Sequence, residues 1–346
     1  MKKKVFFVMS TDDYSGAEAV NITIIENLRD KYDFYWVSRK GKINNYLQEN
    51  KIKWIEIEKL SVSEIKKVIK KFQPDIIHAT DYKSSVICSI AKGDIPLIEH
   101  LHNNSPWIKK FCINSLIFLL AGLRADKILT VSKSIEEEYI FSKFLKNKIK
   151  CIGNPVSRKK ILDKVSECDY EKKYDICCVG RLTPQKNPKR FLDIINEIKK
   201  KKNDIKVIWI GKGEQLEEAE RYKEQLNLQE NVTFLGFKKN PYKYMAGSKI
   251  FMLTSDWEGY GLVSFEALTL GLPCITSNVG GIPDIVDDKC GKICLENKDF
   301  ENIILNLLSN EAMYKLYSEN AIKKSIFLDN TNEYIERMRN IYEKII

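Results

Sequence analysis

Several familiar signatures are absent from this chain of 346 residues, and each absence narrows the function. Only three His are present, and no Ser-His-Asp or Cys-His arrangement is recognisable in linear order, so a hydrolase of the triad type is not indicated. A complete G-x-G-x-x-G run is missing, which argues against a dinucleotide-binding domain. Asp-x-Asp, a sequence that can hold a divalent ion, does not occur either.

Cysteine usage and the amino terminus bear on the cellular compartment. The nine Cys are scattered and odd in number, and several lie inside strand patterns, where Cys acts as a small hydrophobic residue. Cys290 and Cys294 are closely spaced, but no second Cys or His pair accompanies them, so we interpret both as structural thiols. The basic start Lys2–Lys4 is followed by only about five apolar residues, too few for a signal peptide. These features favour a reducing cytoplasm.

Charge is distributed unevenly along the chain. The net charge is +10, and residues 1–155 carry 26 Lys and Arg against 18 Asp and Glu. A basic first half favours an acidic partner, and an anionic membrane surface fits better than nucleic acid, for which no recognition motif is present. The alternative is that these lysines form ordinary solvated faces.

Strand and helix patterns alternate along the chain, as they do in doubly wound parallel sheets. In the first half the predicted strands are Val5–Met9, Phe34–Val37, Trp54–Ile57, Ile76–Ala79, Leu97–Leu101, Ile128–Val131 and Lys150–Ile152. In the second they are Ile176–Val179, Val207–Ile210, Val232–Leu235, Ile250–Leu253, Cys274–Thr276 and Ile293–Leu295. Predicted helices include Ala17–Leu28, Glu64–Phe72, Ser134–Leu145, Asn187–Lys200, Gln215–Leu226, Leu262–Leu270 and Phe300–Leu308.

These patterns and the chain length predict an α/β protein of two domains. We place the domains at residues 1–156 and 174–328. The polar segment Ser157–Lys173 is interpreted as the link between them, and an amphipathic helix occupies residues 329–346.

The segment Ser255–Ile285 carries the densest functional signal. A glycine-bearing turn, Gly259–Gly261, follows a buried-strand pattern and precedes a helix pattern. Such a turn leaves backbone N–H groups unpaired at the start of a helix, which makes an anion site. Glu258 and Glu266 frame the turn, and carboxylates suit hydroxyl groups rather than an anion. A nucleotide sugar offers both phosphates and hydroxyls. The plainer alternative is an amphipathic helix with Glu266 in solvent.

The two Glu, with seven residues between them and followed by G-L-P-C-I and G-G-I-P-D-I, resemble the donor-site signature of retaining glycosyltransferases of family 4. The resemblance covers nearly the whole chain, with the motifs concentrated in the carboxyl-terminal half. It implies the GT-B fold, in which two Rossmann-like doubly wound parallel-sheet domains face each other across a cleft. The first is then the acceptor domain, the second the nucleotide-sugar donor domain, and the last helix crosses back to the first.

A second motif, Gly180–Asn187, resembles the G-R-L-x-x-x-K-N run of this family. Arg181 and Lys186 stand on either side of a turn that precedes a helix. Arg offers a planar fork to phosphate and Lys a point charge. Two fixed cations there would stabilise the departing nucleoside diphosphate in the transition state. The alternative is two ordinary surface bases.

The resemblance assigns further residues to the donor site. Gly16, in a loop that opens the first helix, is expected against the transferred sugar and its diphosphate, or it is simply a helix-start glycine. His102, at the end of a strand, matches the family's sugar-contacting His, although a lone His is often structural. His78 remains an acceptor-side candidate. Residues expected beside the nucleotide are Gly211, Phe237, Lys238, Gly259, Tyr260, Gly261, Leu262 and Val263.

We therefore predict a metal-independent retaining glycosyltransferase. Glu258 would bind sugar hydroxyls and Glu266 the ribose hydroxyls. The donor is expected to be a UDP-sugar that serves as substrate, with no cofactor, and the acceptor a glycan or lipid-linked saccharide in bacterial surface polysaccharide synthesis. The alternatives are a GT-B sugar-nucleotide epimerase and an inactive nucleotide-sugar-binding subunit. The sequence leaves the sugar, linkage and oligomeric state open.

One apolar stretch, Trp107–Leu123, has two interpretations. Its uninterrupted part, Leu116–Leu123, is too short for a bilayer span, which needs about twenty residues. Trp107, Lys109 and Lys110 at its start favour a headgroup interface. A buried helix packed on the first sheet is the competing interpretation.

Overall fold

The computed structural model describes residues 2–345 with the exception of residues 168, 171 and 172. Contacts divide the chain into two compact units. The first combines Met1–Pro155 with the carboxyl-terminal segment Asn330–Ile346, and the second is Val156–Asp329. Each unit is an α/β structure around a parallel sheet, as the alternating patterns predict.

The first unit contains a seven-stranded sheet. Its strands are β1 (Lys3–Met9), β2 (Tyr32–Ser38), β3 (Lys53–Glu56), β4 (Ile76–Thr80), β5 (Leu97–Leu101), β6 (Lys127–Thr130) and β7 (Ile149–Cys151). Its helices up to residue 155 are α1 (Gly16–Leu28), α2 (Ile43–Glu49), α3 (Val62–Phe72), α4 (Asp81–Ala91), α5 (Ile113–Arg124), α6 (Lys133–Glu138) and α7 (Ser142–Leu145), with a 3-10 turn at Pro106–Lys109.

The second unit contains a six-stranded sheet. Its strands are β8 (Tyr174–Val179), β9 (Val207–Ile210), β10 (Val232–Gly236), β11 (Ser248–Leu253), β12 (Cys274–Ser277) and β13 (Gly291–Cys294). Its helices are α8 (Arg158–Ser166), α9 (Pro188–Lys199), α10 (Leu216–Gln225), α11 (Tyr242–Ala246), α12 (Leu262–Thr269), α13 (Ile282–Ile285), α14 (Asn297–Ser309) and α15 (Glu311–Leu328). The central strands are almost entirely apolar because helices cover both faces of the sheet.

Strand order defines one distinctive position in each sheet. The first sheet has the order β3-β2-β1-β4-β5-β6-β7, and the second has β10-β9-β8-β11-β12-β13. The direction of winding therefore reverses between β1 and β4 in one unit and between β8 and β11 in the other. Ligands of open α/β sheets bind at the carboxyl ends of the strands beside such a reversal. Each unit thus has its own switch point.

The last helix, α16 (Thr331–Ile345), belongs to the first unit. Its Tyr334 and Tyr342 are fully buried. The Tyr342 ring meets that of Tyr32 edge-on, with 5.2 Å between centroids, and its hydroxyl lies 2.8 Å from Nδ1 of His78 on β4. Buried aromatic contacts thus join the carboxyl-terminal helix to the first sheet.

The segment Ser157–Lys173 differs from the polar link that we inferred. It contains α8. Ser157 is the N-cap of this helix, and its hydroxyl accepts a hydrogen bond from Lys160 N at 3.4 Å. Ile161 and Val165, four residues apart, are buried, and Ile161 joins the core of the second unit. Two apolar residues at helical spacing are enough to fix a short helix whose other positions are mostly charged. Residues 168, 171 and 172 lie outside the described part of this segment.

The predicted helix Ser134–Leu145 is broken into α6 and α7. At the break, Ile140 N donates to Ile108 O at 3.0 Å rather than to the preceding helical turn. Tyr139 is buried, and its hydroxyl donates to Ser115 O at 2.8 Å. These contacts with distant residues override the local helical pattern.

Candidate functional site

Two loops meet at the switch point of the second unit, one after β8 and one after β11. Asn187 caps α9 by accepting Arg190 N at 3.0 Å, and its amide donates to Asp256 at 3.0 Å. Gln185 accepts Asp256 N and donates to Trp257 O, both at 2.9 Å. The loops that carry the two predicted motifs are therefore held together by direct hydrogen bonds.

At their junction lies a buried ion pair. Lys186 Nζ is 2.5 Å from Oε1 of Glu258, and the two side chains are 13% and 8% exposed. Ser255 donates to the same oxygen at 2.6 Å. Among the described residues, both hydrogen bonds of this carboxylate fall on Oε1, which leaves Oε2 for a ligand. The structure thus brings together two predicted site residues and adds Ser255, which the sequence interpretation missed.

Helix α12 begins at this junction, and Gly261 makes its start feasible. Gly261 has φ +89°, and a Cβ there would press on the Ile282 side chain. The preceding turn is fixed by Gly281 N, which donates to Gly259 O at 2.8 Å. Leu262 and Val263 form the first turn, where helix amides lack intrahelical acceptors. The predicted glycine turn and helix start are present beside the ion pair.

Glu266 lies one turn further along α12 and is half-buried. Burial raises its pKa to about 7, and the hydroxyl of Tyr242 and the ammonium groups of Lys164 and Lys186 oppose that rise. Tyr242 donates to Oε1 at 3.2 Å. The carboxyl therefore titrates near neutral pH and is not a freely solvated surface group. Tyr242 and Lys164 were missed because they come from α11 and α8, distant in sequence.

The other predicted residues of the second unit lie at the same edge of its sheet. Gly211 follows β9, and a Cβ there would collide with the Gly180 carbonyl, so the ends of β8 and β9 approach closely. Arg181 is exposed beside it. Phe237 is 62% exposed after β10, and Lys238 Nζ lies 5.8 Å from the centroid of the Tyr244 ring. Tyr260 is half-buried in the α12 turn.

In the first unit, Gly16 opens α1 at that unit's switch point and is exposed. Glu18 forms the helix cap, since it accepts Ser15 N at 3.0 Å and the Ser15 hydroxyl at 2.5 Å. Its other oxygen accepts the Thr11 hydroxyl. The buried carboxylate of Glu18 shapes the loop, and Gly16 is exposed next to the exposed Ser15.

His102 follows β5, on the far side of β4 from β1. Burial lowers its pKa to about 3, so the ring is neutral at pH 7. Both ring nitrogens are buried, and neither has a hydrogen-bond partner among the described residues. Its backbone N donates to Asp81 at 3.1 Å. Asp81 stands at the end of β4 with φ +70°, and burial raises its pKa to about 6. The position of Asp81 directly after a strand is the sequence signal that could have identified it as a site candidate.

His78 is not an acceptor-side residue. It is fully buried in β4, and Nε2 lies 3.1 Å from Nδ1 of His100 while Nδ1 meets Tyr342. Its ring also stacks on Phe7, with 4.5 Å between centroids. Its place in the middle of the packed strand, rather than after it, explains this structural role.

Cys290 and Cys294 agree with their interpretation as structural thiols. Cys290 and Cys294 are buried, and burial raises the pKa of both thiols, to about 11 and about 12. Cys168 lies outside the described residues. Within the part of the chain that the structure describes, no group of three or more His, Cys, Asp or Glu is arranged to hold a metal ion.

Two family models match adjoining parts of the chain. Residues 14–160 match Glycosyltransferase Family 4, and residues 160–324 match Glycosyl transferases group 1. Together the two models cover residues 14–324, and the chain belongs to the glycosyltransferase family that they describe. The resemblance and the α/β fold class that the sequence predicted are confirmed, and the chain is a glycosyltransferase of the GT-B type.

Similarity to known proteins extends over nearly the full length of this glycosyltransferase. An Escherichia coli UDP-Gal:alpha-D-GlcNAc-diphosphoundecaprenol alpha-1,3-galactosyltransferase is 24% identical over 99% of this chain and 97% of that protein. A Campylobacter jejuni N-acetylgalactosamine-N,N'-diacetylbacillosaminyl-diphospho-undecaprenol 4-alpha-N-acetylgalactosaminyltransferase is 27% identical, covering 93% of this chain and 94% of its own. The crystal structure of Anabaena HepE with UDP-glucose superposes with a TM-score of 0.84 at 21% identity, covering 99% of each chain.

Proposed function

We propose that this glycosyltransferase moves a sugar from a UDP-sugar to a hydroxyl group of a lipid-linked saccharide, with retention of anomeric configuration. The observation that carries the proposal is the Lys186–Glu258 ion pair at the switch point of the second unit. One member suits a diphosphate and the other suits sugar hydroxyls. A nucleotide sugar supplies both partners at adjoining positions.

Each part of such a ligand has candidate partners among the side chains of this site. Lys186 and Arg181 would stabilise the diphosphate as it departs, together with the amides at the start of α12, because fixed donors act most strongly where charge develops. Glu258 would accept from sugar hydroxyls through Oε2. Glu266, with Tyr242 beside it, would accept from the ribose hydroxyls. These protein cations would serve in place of a metal ion.

Two residues of the first unit, Gly16 and His102, are further candidates for ligand contacts. Gly16 has no side chain and is exposed, so a sugar or phosphate group could approach its backbone closely, and neutral His102 can both donate to and accept from a sugar hydroxyl. Among the described residues its two ring nitrogens have no partner, so a ligand would satisfy polar atoms that are otherwise buried alone. Asp81 would position the His102 backbone through its hydrogen bond.

Two named relatives act on diphospho-undecaprenol-linked sugars, which supports a lipid-linked acceptor at the inner face of the cytoplasmic membrane. Full-length alignment with both supports a role in bacterial surface polysaccharide synthesis.

UDP release with and without acceptor tests the reaction class. We would combine UDP-galactose and related UDP-sugars with GlcNAc-diphosphoundecaprenol and related lipid-linked acceptors. Transfer predicts UDP release that requires an acceptor. A new sugar nucleotide without acceptor would indicate an epimerase, and donor binding without turnover across the acceptor panel would indicate a binding subunit.

The site assignment is tested in the same assay with a matched pair of variants. Lys186→Ala should lower turnover by roughly 2–4 kcal/mol of barrier, as removal of one preorganised donor does elsewhere. Lys189 is an exposed lysine on α9, the helix that Asn187 caps, and Lys189→Ala should leave turnover unchanged. A Lys186 variant within about threefold of the parent rate would reject the phosphate role.

A further inference from the structure

Helix α5 has one buried and one uncovered apolar face. Its buried positions are Ser115, Phe118, Ala121 and Gly122. Its exposed apolar positions are Ile113, Leu116, Ile117, Leu120 and Leu123, of which Ile113 and Leu120 are 73% and 64% exposed. The two interpretations of Trp107–Leu123 therefore each describe one side of the same helix. The exposed positions recur at helical spacing and form a single stripe.

Neighbouring aromatic residues extend this stripe. Phe111 and Phe144 are 72% and 71% exposed. Ring contacts of 5.8 Å from Phe111 to Phe141 and 6.2 Å from Phe141 to Phe144 place α7 beside the start of α5. We define the α5 face as the exposed side chains of residues 111–123 together with Phe144. An exposed apolar surface of this extent on one unit indicates an interaction site.

The two segments that form the α5 face carry charge of one sign. Residues 107–124 and 140–146 contain five Lys and Arg and no Asp or Glu; the five are Lys109, Lys110, Arg124, Lys143 and Lys146. Lys109 pairs with Glu138 on α6 at 3.0 Å. Lys110, Lys143 and Lys146 are exposed. Lys148 closes the far end of the helix by donating to Leu123 O at 2.7 Å.

We propose that the α5 face docks on the surface of an anionic phospholipid bilayer. An amphipathic helix with an aliphatic stripe and flanking lysines lies in the plane of the headgroups, its apolar side in the acyl boundary. Each well-placed base adds attraction to anionic lipid. A second copy of this chain is a poorer occupant, because the same row of cations would face itself.

The exposed side chains of the α5 face, rather than Trp107, would make this contact. Trp107 is half-buried, and its ring packs against Tyr82 with 4.7 Å between centroids. It therefore helps to hold α5 on the unit, and replacing it would disturb folding as well as docking. No helix in the part of the chain that the structure describes is long and apolar enough to cross a membrane. The proposed contact is peripheral.

Helix α15 in the second unit offers a matched control. It exposes Leu316 and Phe327, which are 56% and 82% exposed, yet it also carries Glu311 and Glu319. It has comparable apolar exposure with charges of both signs. If exposed hydrophobic surface alone caused binding, both helices would bind lipid.

Vesicle sedimentation with the full chain tests the proposal, and it needs neither donor nor acceptor, so it can fail independently of the proposed function. The parent protein should bind phosphatidylglycerol-phosphatidylcholine vesicles, and this binding should weaken as the salt concentration increases. Ile113→Gln/Leu120→Gln and, separately, Lys110→Gln/Lys143→Gln should each lower the partition coefficient about tenfold. Leu316→Gln/Phe327→Gln should bind like the parent. Circular dichroism confirms that each variant is folded.

Three outcomes would overturn the proposal. One is parent-like vesicle binding by both the aliphatic and the lysine variants, and another is equal binding of the parent to neutral phosphatidylcholine. The third is absence of vesicle binding together with self-association that Ile113→Gln/Leu120→Gln abolishes in sedimentation velocity. That last result would assign the α5 face to a contact between copies of the chain.

Discussion

Lys186 and Glu258 lie 72 residues apart in sequence, and Nζ of Lys186 lies 2.5 Å from Oε1 of Glu258 in the second unit. We propose that Lys186 binds the phosphate and Glu258 the sugar of a bound donor. Burial explains why they pair, since an isolated charge at this depth is costly and each charge satisfies the other. The pair therefore fixes the positions of both groups.

The first prediction concerns the energy of this pair. Lys186→Met or Glu258→Gln alone should destabilise the second unit by about 3–5 kcal/mol, because each leaves an uncompensated buried partner. The double variant should lose clearly less than the sum of the single losses. Urea unfolding followed by tryptophan fluorescence measures the cycle. Additive losses would show that the two charges do not interact energetically in solution.

A second prediction separates the roles of the two glutamates. Glu266→Ala should weaken UDP binding by about 1.5–3 kcal/mol, the range for a hydrogen bond to a charged group, because ribose is present in UDP itself. Glu258→Gln should leave UDP affinity nearly intact while turnover of the UDP-sugar falls. Titration calorimetry with UDP and a turnover assay provide the two readings. Equal losses of UDP affinity would refute this division.

The pH dependence of UDP binding follows from the raised pKa of Glu266, which is about 7. Below that pH the carboxyl is protonated and accepts hydroxyl hydrogen bonds less well; above it the carboxylate is the acceptor. UDP affinity should therefore rise between pH 6 and pH 8. UDP titrates too, so the quantity to compare is the parent relative to Glu266→Gln. Parallel profiles for the two proteins would contradict a carboxylate contact with the ribose.

Stability should depend on pH through Glu99 in the first unit. This residue is fully buried in β5, its carboxyl oxygens have no partner among the described residues, and burial raises its pKa to about 8. The folded state thus binds more protons than the unfolded state between about pH 4.5 and pH 8. The free energy of unfolding contributed by this group falls as pH rises through that window.

Glu99→Gln removes this titration. Its stability relative to the parent should increase from pH 5 to pH 9, by up to about 1.4 kcal/mol for each unit of pKa shift. Glu56→Gln, on the exposed side of β3, is the matched control and should show a constant difference. Urea unfolding across this pH range checks both, and a flat difference for Glu99→Gln would place the carboxyl in contact with solvent.

Much of the fold could be predicted because its signals are local. All thirteen predicted strands are present with end points shifted by up to two residues, since their buried apolar runs are continuous and polar turns bound them. Several helices were not predicted, and for α8 and α15 the reason is the opposite. Helix α8 buries only Ile161 and Val165, and α15 buries only Ala321 and Ser325, so neither shows a strong apolar stripe. The break at Tyr139 depends on Ser115, which no local pattern reveals.

The site shows the same division. Glu258, Glu266 and Lys186 could be singled out because glycine turns beside strand ends mark them. Their contacts could not, because Tyr242 and Lys164 approach Glu266 only through the packing of α11 and α8 near α12. The contact of Ser255 with Glu258 depends on the conformation of the loop after β11. The individual ligand roles of these residues remain predictions that the variants above test.

The stereochemistry of the product tests the central claim most directly. A UDP-α-sugar and a lipid-linked acceptor would be incubated with the parent protein in EDTA, and the new linkage assigned by NMR. The account predicts an α-linked product formed with one UDP per transfer, without added metal, and its loss in Lys186→Ala but not in Lys189→Ala. A β-linked product, or a strict requirement for magnesium or manganese, would contradict it.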